Sequence, residues 1–173
     1  TDNNPNMIYG KNTTALGSGN DIYSSDRSNN DGTKAKMRFA SSGVQNKMGG
    51  VNKVFMKRFK MALQEYQDTT GNKTPITITD SFRTRAEQEA MYARKGKTAA
   101  KPGYSLHEYG MALDADHRTL DEMDSMGLLA KYGLERTPFK LFQRNHAGAT
   151  SDTKGSESWH VQPIEFRDDK TRR

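Results

Sequence analysis

From Val51 onward the chain switches between two periodicities. Val51, Val54, Phe55, Arg58, Ala62 and Tyr66 recur at helical spacing, with Phe59 and Leu63 widening the stripe. That spacing predicts a helix over about 51–67, ended by the polar run Asp68-Thr69-Thr70-Gly71-Asn72. Pro75-Ile76-Thr77-Ile78-Thr79 is β-branched and alternates with period two, so it reads as a strand. Thr84-Arg85-Ala86-Glu87 has the form of a capping box, in which each side chain bonds the other residue's amide, and it opens a helix through about Arg94.

Gly96, Pro102 and Gly103 mark a loop from Lys95 to Ser105. Alternation returns at Met111–Asp116, with Ala112, Asp114 and Asp116 on one side and Met111, Leu113 and Ala115 on the other. Leu120–Tyr132 reads as a helix with Gly133 as its stop. His146–Ser156 reads as a loop, and His160–Ile164 as a last strand that Pro163 confines to an edge or a strand end. Helices and strands do not alternate regularly and no repeat is visible. The expected fold is a small single α+β domain, an antiparallel sheet flanked by helices.

The first fifty residues break the pattern, being crowded with Asn, Ser, Gly, Asp and Thr and poor in large apolar side chains. Such a segment buries too little surface to offset the entropy of ordering it. Residues 1–48 are therefore expected to form a polar extension or linker, partly disordered or wrapped on a partner, and residues 49–173 the domain. About 120 residues suffice for one modest core. Apolar residues make up 32% of the 173, and mean hydropathy is -0.97. No run approaches the ~18–20 apolar residues of a membrane span. The amino end lacks the apolar stretch of a signal peptide, and a chain opening on Thr1 is expected to be a processed or excised piece.

Formal net charge is +6, which favours anionic partners such as nucleic acid, membrane or cell-wall polymer. The cations are dispersed apart from Lys57-Arg58-Phe59-Lys60 and Lys170-Thr171-Arg172-Arg173, and no nucleic-acid motif accompanies them. Nucleic acid is therefore not an expected partner. The absence of cysteine excludes disulfides and thiolate metal ligation.

Two stretches carry the candidate chemistry. Ser105-Leu106-His107-Glu108-Tyr109-Gly110-Met111-Ala112-Leu113-Asp114 and Glu157-Ser158-Trp159-His160 supply two imidazoles and a carboxylate able to hold one zinc ion. Glu157, three residues before His160, stands where a base for an attacking water is needed. Asp114 in an otherwise apolar strand calls for a partner, because burying a lone carboxylate is expensive. His107-Glu108 begins like the His-Glu-x-x-His helix of many zinc proteases, but position 111 is Met and that motif fails. His117 and His146 read as structural or exposed histidines.

The pattern Ser-x-His-x-x-Gly-x-Ala-x-Asp followed by Glu-x-Trp-His resembles the zinc D-Ala-D-Ala peptidase family, which includes VanX- and VanY-type enzymes. The related L-alanyl-D-glutamate endopeptidases of bacteriophage lysins and bacterial cell-wall turnover share it. Asp80-Ser81-Phe82-Arg83 with Gln88 looks like that family's upstream arginine motif. The resemblance runs from about Val51 to Phe166 and departs at Gln162, where relatives often have glutamate.

It implies a hedgehog/D-Ala-D-Ala-peptidase-like fold, with zinc bound by His107, Asp114 and His160 and Glu157 as general base. Arg83 would stabilise an oxyanion or grip a substrate carboxylate, while Ser105 and Gln88 would help bind substrate. Asp116 would either orient a ligand imidazole or stand solvated at a strand end. Tyr104, Tyr109 and Trp159 would wall a groove or pack.

The implied activity is hydrolysis of the peptidoglycan stem peptide at the cell wall or periplasm, by a secreted or virion-associated protein. L-Ala-D-Glu endopeptidase activity of lysin type is the leading expectation. Terminal D-Ala removal and a catalytically silent, zinc-stabilised wall-binding module are the alternatives. Residues 1–48 would then tether the domain in a larger assembly such as a phage particle.

Overall fold

A computed structural model describes residues 34–96, 99–136 and 158–166. In chain order these form β1 (Met37–Phe39), α1 (Ser42–Asn46), α2 (Lys53–Thr70), β2 (Ile76–Asp80), α3 (Arg85–Lys95), β3 (Leu113–Ala115), α4 (His117–Ser125), α5 (Leu128–Lys131), β4 (Leu134–Arg136) and β5 (His160–Pro163), with single 3-10 turns at Met48–Gly50, Leu106–Tyr109 and Ile164–Phe166. The strands make one five-stranded sheet in the order β1-β2-β3-β5-β4. Three pairings are antiparallel, as expected. β1 and β2 are parallel, because the chain between them crosses over through α1 and α2.

The long helix α2 starts where Asn52 accepts a hydrogen bond from the Phe55 amide (3.1 Å), and it ends at Gly71, whose φ of 71° suits glycine. Its stripe of Phe55, Phe59, Ala62, Leu63 and Tyr66 is buried against Ile76 and Ile78 of β2, Leu113 and Ala115 of β3, Val161 of β5 and Leu134 of β4. Leu120, Met123, Leu128 and Leu129 from α4 and α5 complete this core. Phe59 is fully buried, and truncating such a ring to alanine costs about 3–5 kcal/mol. Arg58, read as part of the apolar stripe, instead forms a two-pronged pair with Glu165 (2.7 and 2.8 Å) and ties α2 to the turn after β5. None of the described helices is long and apolar enough to cross a membrane.

Three differences from the sequence reading have physical causes. Residues 37–46 lie in the fold although they were assigned to the polar extension. Met37, Arg38 and Phe39 pair with Ile76, Thr77 and Ile78, so the sheet includes residues before 48; Ala35, Met37 and Phe39 alternate with Lys34, Lys36 and Arg38, a signal that the polar average of the first fifty residues hid. The helix expected over Leu120–Tyr132 is broken by Gly127 (φ 74°) into α4 and α5. β4 was missed because Leu134–Arg136 is short and no alternation continues on either side of it. Pro163 does close β5, but that strand is interior, between β3 and β4.

Sheet alternation then positions the site. Leu113, Ala115 and Val161 point into the core, so Asp114, His160 and Gln162 belong to the opposite face.

Candidate metal centre

His107 sits on the 3-10 turn Leu106–Tyr109, which polar contacts hold at both ends. Ser105 caps it, its Oγ accepting from the His107 amide (3.3 Å). The Glu108 carboxylate reaches back to accept from the amides of Ser105 (3.1 Å) and Gly103 (2.9 Å), and from Arg85 Nε of α3 (2.6 Å). The His-Glu pair thus makes Glu108 a buried staple. Gly110 ends the turn at φ 71°, and a Cβ there would lie 2.2 Å from the Gly50 carbonyl oxygen. Only glycine permits that approach. The Gly110 carbonyl also accepts from the Asn52 amide (2.9 Å), joining the turn to the start of α2.

Asp114 and His160 face each other directly across the β3–β5 ladder. Residues so paired project side chains from the same face, close together. His107 Nε2 lies 3.2 Å from Asp114 Oδ1, and His160 Nδ1 lies 3.4 Å from the same oxygen. The three candidate ligand atoms all fall within 4.8 Å of one another. The two rings meet edge to face, centroids 5.4 Å apart. A tetrahedral ion with ligand bonds of about 2.0–2.1 Å separates its donors by roughly 3.3–3.4 Å. Asp114 Oδ1 is buried with no hydrogen-bond partner among the described residues, which is costly unless a cation or proton meets it. The donor set therefore fits a divalent ion that prefers nitrogen and oxygen, zinc among them.

Electrostatics point the same way. Burial alone would raise the Asp114 pKa, but the adjacent His107 outweighs it and holds the carboxyl well below its usual range. For His107 burial works downward, Asp114 works upward and prevails, and the Arg83 charge opposes it. Both residues are 14% exposed or less at the side chain.

Support for the imidazoles comes from behind. His107 Nδ1 is 2.8 Å from the Ser81 carbonyl. His160 Nε2 is 3.0 Å from Gln162 Oε1, and Gln162 Nε2 donates to Glu135 Oε1 (3.3 Å). Such outer partners set ring orientation and the protonated nitrogen. None of the three was picked out from sequence as a support. Gln162 was noted only as a departure, although its position two residues beyond His160 on a strand puts it on the same face. Glu135 and the Ser81 carbonyl carry no local signal.

The remaining candidates are placed as follows. Arg83 lies beside the site, its amide donating to the His107 carbonyl (3.0 Å). Its guanidinium pairs with Asp80 and donates to Gln88 Oε1 (2.6 Å). Gln88 is almost fully buried, and its Nε2 donates to the Ala100 carbonyl (2.7 Å). Both ends of that amide are engaged internally, so any effect of Gln88 on substrate passes through Arg83.

Asp116 accepts from the Thr119 amide and hydroxyl (3.0 and 2.9 Å) and caps α4, so it orients neither imidazole. Tyr109 packs beside Leu106 and Met111, and its hydroxyl donates to the Gly103 carbonyl (3.0 Å). Trp159 is 45% exposed, which rules out a core role. Glu157, His146 and most of the loop before β5 lie outside the described residues.

The chain matches no known family profile and no curated protein. Among solved structures, it is similar to the L-Ala D-Glu endopeptidase ChiX of Serratia marcescens. The two are 14% identical with a TM-score of 0.43, over 75% of this chain and 92% of that one. A likeness so distant carries no functional argument, which rests on the side chains themselves.

Proposed function

We propose that the protein is a zinc-dependent peptidase of the peptidoglycan stem peptide, cleaving the bond between L-alanine and D-glutamate. The observation that carries this reading is the convergence of His107 Nε2 and His160 Nδ1 on a buried, otherwise unpartnered Asp114 oxygen. Those three residues would hold the ion. The chemistry zinc supplies in such a site is Lewis acidity toward a carbonyl oxygen and a lowered pKa for water.

Glu157 takes the proton from the attacking water as its oxygen joins the carbonyl carbon, and delivers that proton to the amine nitrogen as the C–N bond then breaks. A structural metal site would need no such base. Arg83, held in one orientation by Asp80 and Gln88, presents a fixed cation to an anionic group on the substrate or to the developing oxyanion. Ser105 still has a hydroxyl proton to offer after capping its turn. The motif is shared by enzymes that remove terminal D-Ala; the choice of the L-Ala-D-Glu bond follows from the compact size and the net charge of +6, which suit an enzyme working on an anionic wall.

The test is mass spectrometry of muropeptides after digestion of purified peptidoglycan, with and without chelator. Fragments with free L-alanine carboxyl and D-glutamate amino ends, lost on chelation, are expected. Release of D-alanine alone would replace this reading with a carboxypeptidase. Binding without cleavage would replace it with a wall-binding module. Glu157→Ala should keep stoichiometric zinc yet lose at least ~100-fold in turnover, and near-normal turnover would remove Glu157 from the mechanism.

A further inference from the structure

The backs of the two imidazoles are served by different chemistry. His107 Nδ1 meets a backbone carbonyl, which only accepts, so Nδ1 carries the proton and Nε2 keeps its lone pair toward Asp114. His160 is turned the other way, with Nδ1 toward Asp114 and Nε2 toward the Gln162 amide. An amide both donates and accepts, so alone it would tolerate either tautomer. Glu135 removes that freedom. Its carboxylate only accepts, which turns the NH2 end of Gln162 toward it and leaves Oε1 facing His160.

Glu135 and Gln162 are directly opposed in the β4–β5 ladder. Gln162 is fully buried and Glu135 is 6% exposed, so water does not readily take over either partner's role.

We infer that Glu135 is a positioning residue: through the Gln162 amide it fixes His160 as the Nε2-protonated tautomer, leaving the Nδ1 lone pair for a divalent cation shared with His107 and Asp114. The inference rests on the metal-site reading proposed above. Outer partners of this kind are worth 10–100-fold in metal affinity. No proton is transferred; the device only sets which nitrogen carries the proton.

The experiment follows imidazole nitrogen-15 shifts in the full chain, metal-free and zinc-loaded, together with zinc Kd from competition with a chromophoric chelator. In the unaltered protein His160 should be protonated at Nε2. Glu135→Gln keeps size but adds a donor, so the Gln162 amide can rotate. His160 should then show mixed tautomers and zinc affinity should fall about 10–100-fold, while His107 keeps its Nδ1 proton as an internal control. Adding Gln162→Glu supplies an acceptor-only group directly, and the double variant should regain the Nε2-protonated signature and most of the zinc affinity.

A Glu135→Gln protein with native His160 shifts and zinc Kd would overturn the inference, as would failure of rescue in a folded double variant. Should Glu135→Gln not fold, an Nδ1-protonated His160 in the unaltered metal-free protein overturns it equally. If the unaltered protein binds no zinc, the metal-site reading falls, and the tautomer measurement still decides the role of Glu135.

Discussion

The two histidines of the centre are held by unlike structure. His107 rides on a four-residue turn whose shape comes from a cap, a glycine and the buried Glu108–Arg85 pair. His160 rides on an interior strand whose place is set by register with β3 and β4. The turn depends on a few polar groups that cannot be replaced singly. The strand spreads its support over a hydrogen-bonded ladder and the core beneath it. A site built across both inherits the fragility of the first and the precision of the second.

The largest expected effect therefore lies on the turn side. Glu108→Ala removes an acceptor used by Arg85 Nε and by the amides of Gly103 and Ser105. It leaves the mostly buried Arg85 charge without its carboxylate. Breaking a buried pair from one end costs about 3–5 kcal/mol, or a fall of roughly 10 °C or more in Tm for a domain of this size. Thermal unfolding with chelator present measures it free of metal effects. A loss below about 1 kcal/mol would mean that Leu106 packing against Val54, Met111 and Phe166 holds the turn, and the contrast between the two sides would vanish.

The same contrast explains what the sequence made legible. α2, β2, α3, β3 and β5 could be read because each carries its own period or cap, as in the Thr84–Glu87 box that opens α3. His107, Asp114 and His160 do not stand out singly; they could be picked out together because the two stretches that carry them resemble a zinc peptidase motif. β4 could not be read, since no alternation continues beyond Leu134–Arg136 as it does around β3 over Met111–Asp116; β1 does alternate, Ala35, Met37 and Phe39 against Lys34, Lys36 and Arg38, but was lost in a polar average. Glu135 and the Ser81 carbonyl were hidden for a deeper reason. Their roles come from which strand lies beside which, and nothing within either segment states that.

A smaller effect should appear in the pH dependence of the metal-free protein, and it belongs to the pair that bridges turn and strand. The Asp114 pKa is depressed on folding, so its contribution is complete above the ordinary carboxylate value and is lost as pH falls below it. The His107 pKa is raised, so its contribution is complete below the ordinary imidazole value and is lost as pH climbs through the raised one. Stability should be greatest between about pH 4 and 6.5 and decline on both sides. Denaturant unfolding across pH 3–9 measures this profile. Asp114→Asn should flatten both arms, and saturating zinc should remove the alkaline decline, because ion and proton compete for His107 Nε2. A profile unchanged by Asp114→Asn would show that turn and strand are not coupled at this pair.

The smallest effect on stability is expected at Trp159, next to His160 on the strand side. Tyr109, its aromatic counterpart on the turn, is committed: its hydroxyl donates to the Gly103 carbonyl and accepts from Arg85 Nη2. Trp159 is nearly half exposed, and the backbone bond that its carbonyl accepts from Ala115 (2.8 Å) survives side-chain removal. Trp159→Ala should therefore change unfolding free energy by no more than about 0.5 kcal/mol. An exposed indole adjacent in sequence to His160 has an apolar face to offer a bound chain, so under the proposed function KM on peptidoglycan fragments should rise with kcat little changed, the mark of binding lost equally from ground and transition states. Tyr109→Phe should do the reverse, lowering Tm without moving KM. If Trp159→Ala destabilises the fold by more than 1 kcal/mol, or leaves KM untouched, the strand side holds no substrate-facing aromatic, and both aromatics serve the scaffold alone.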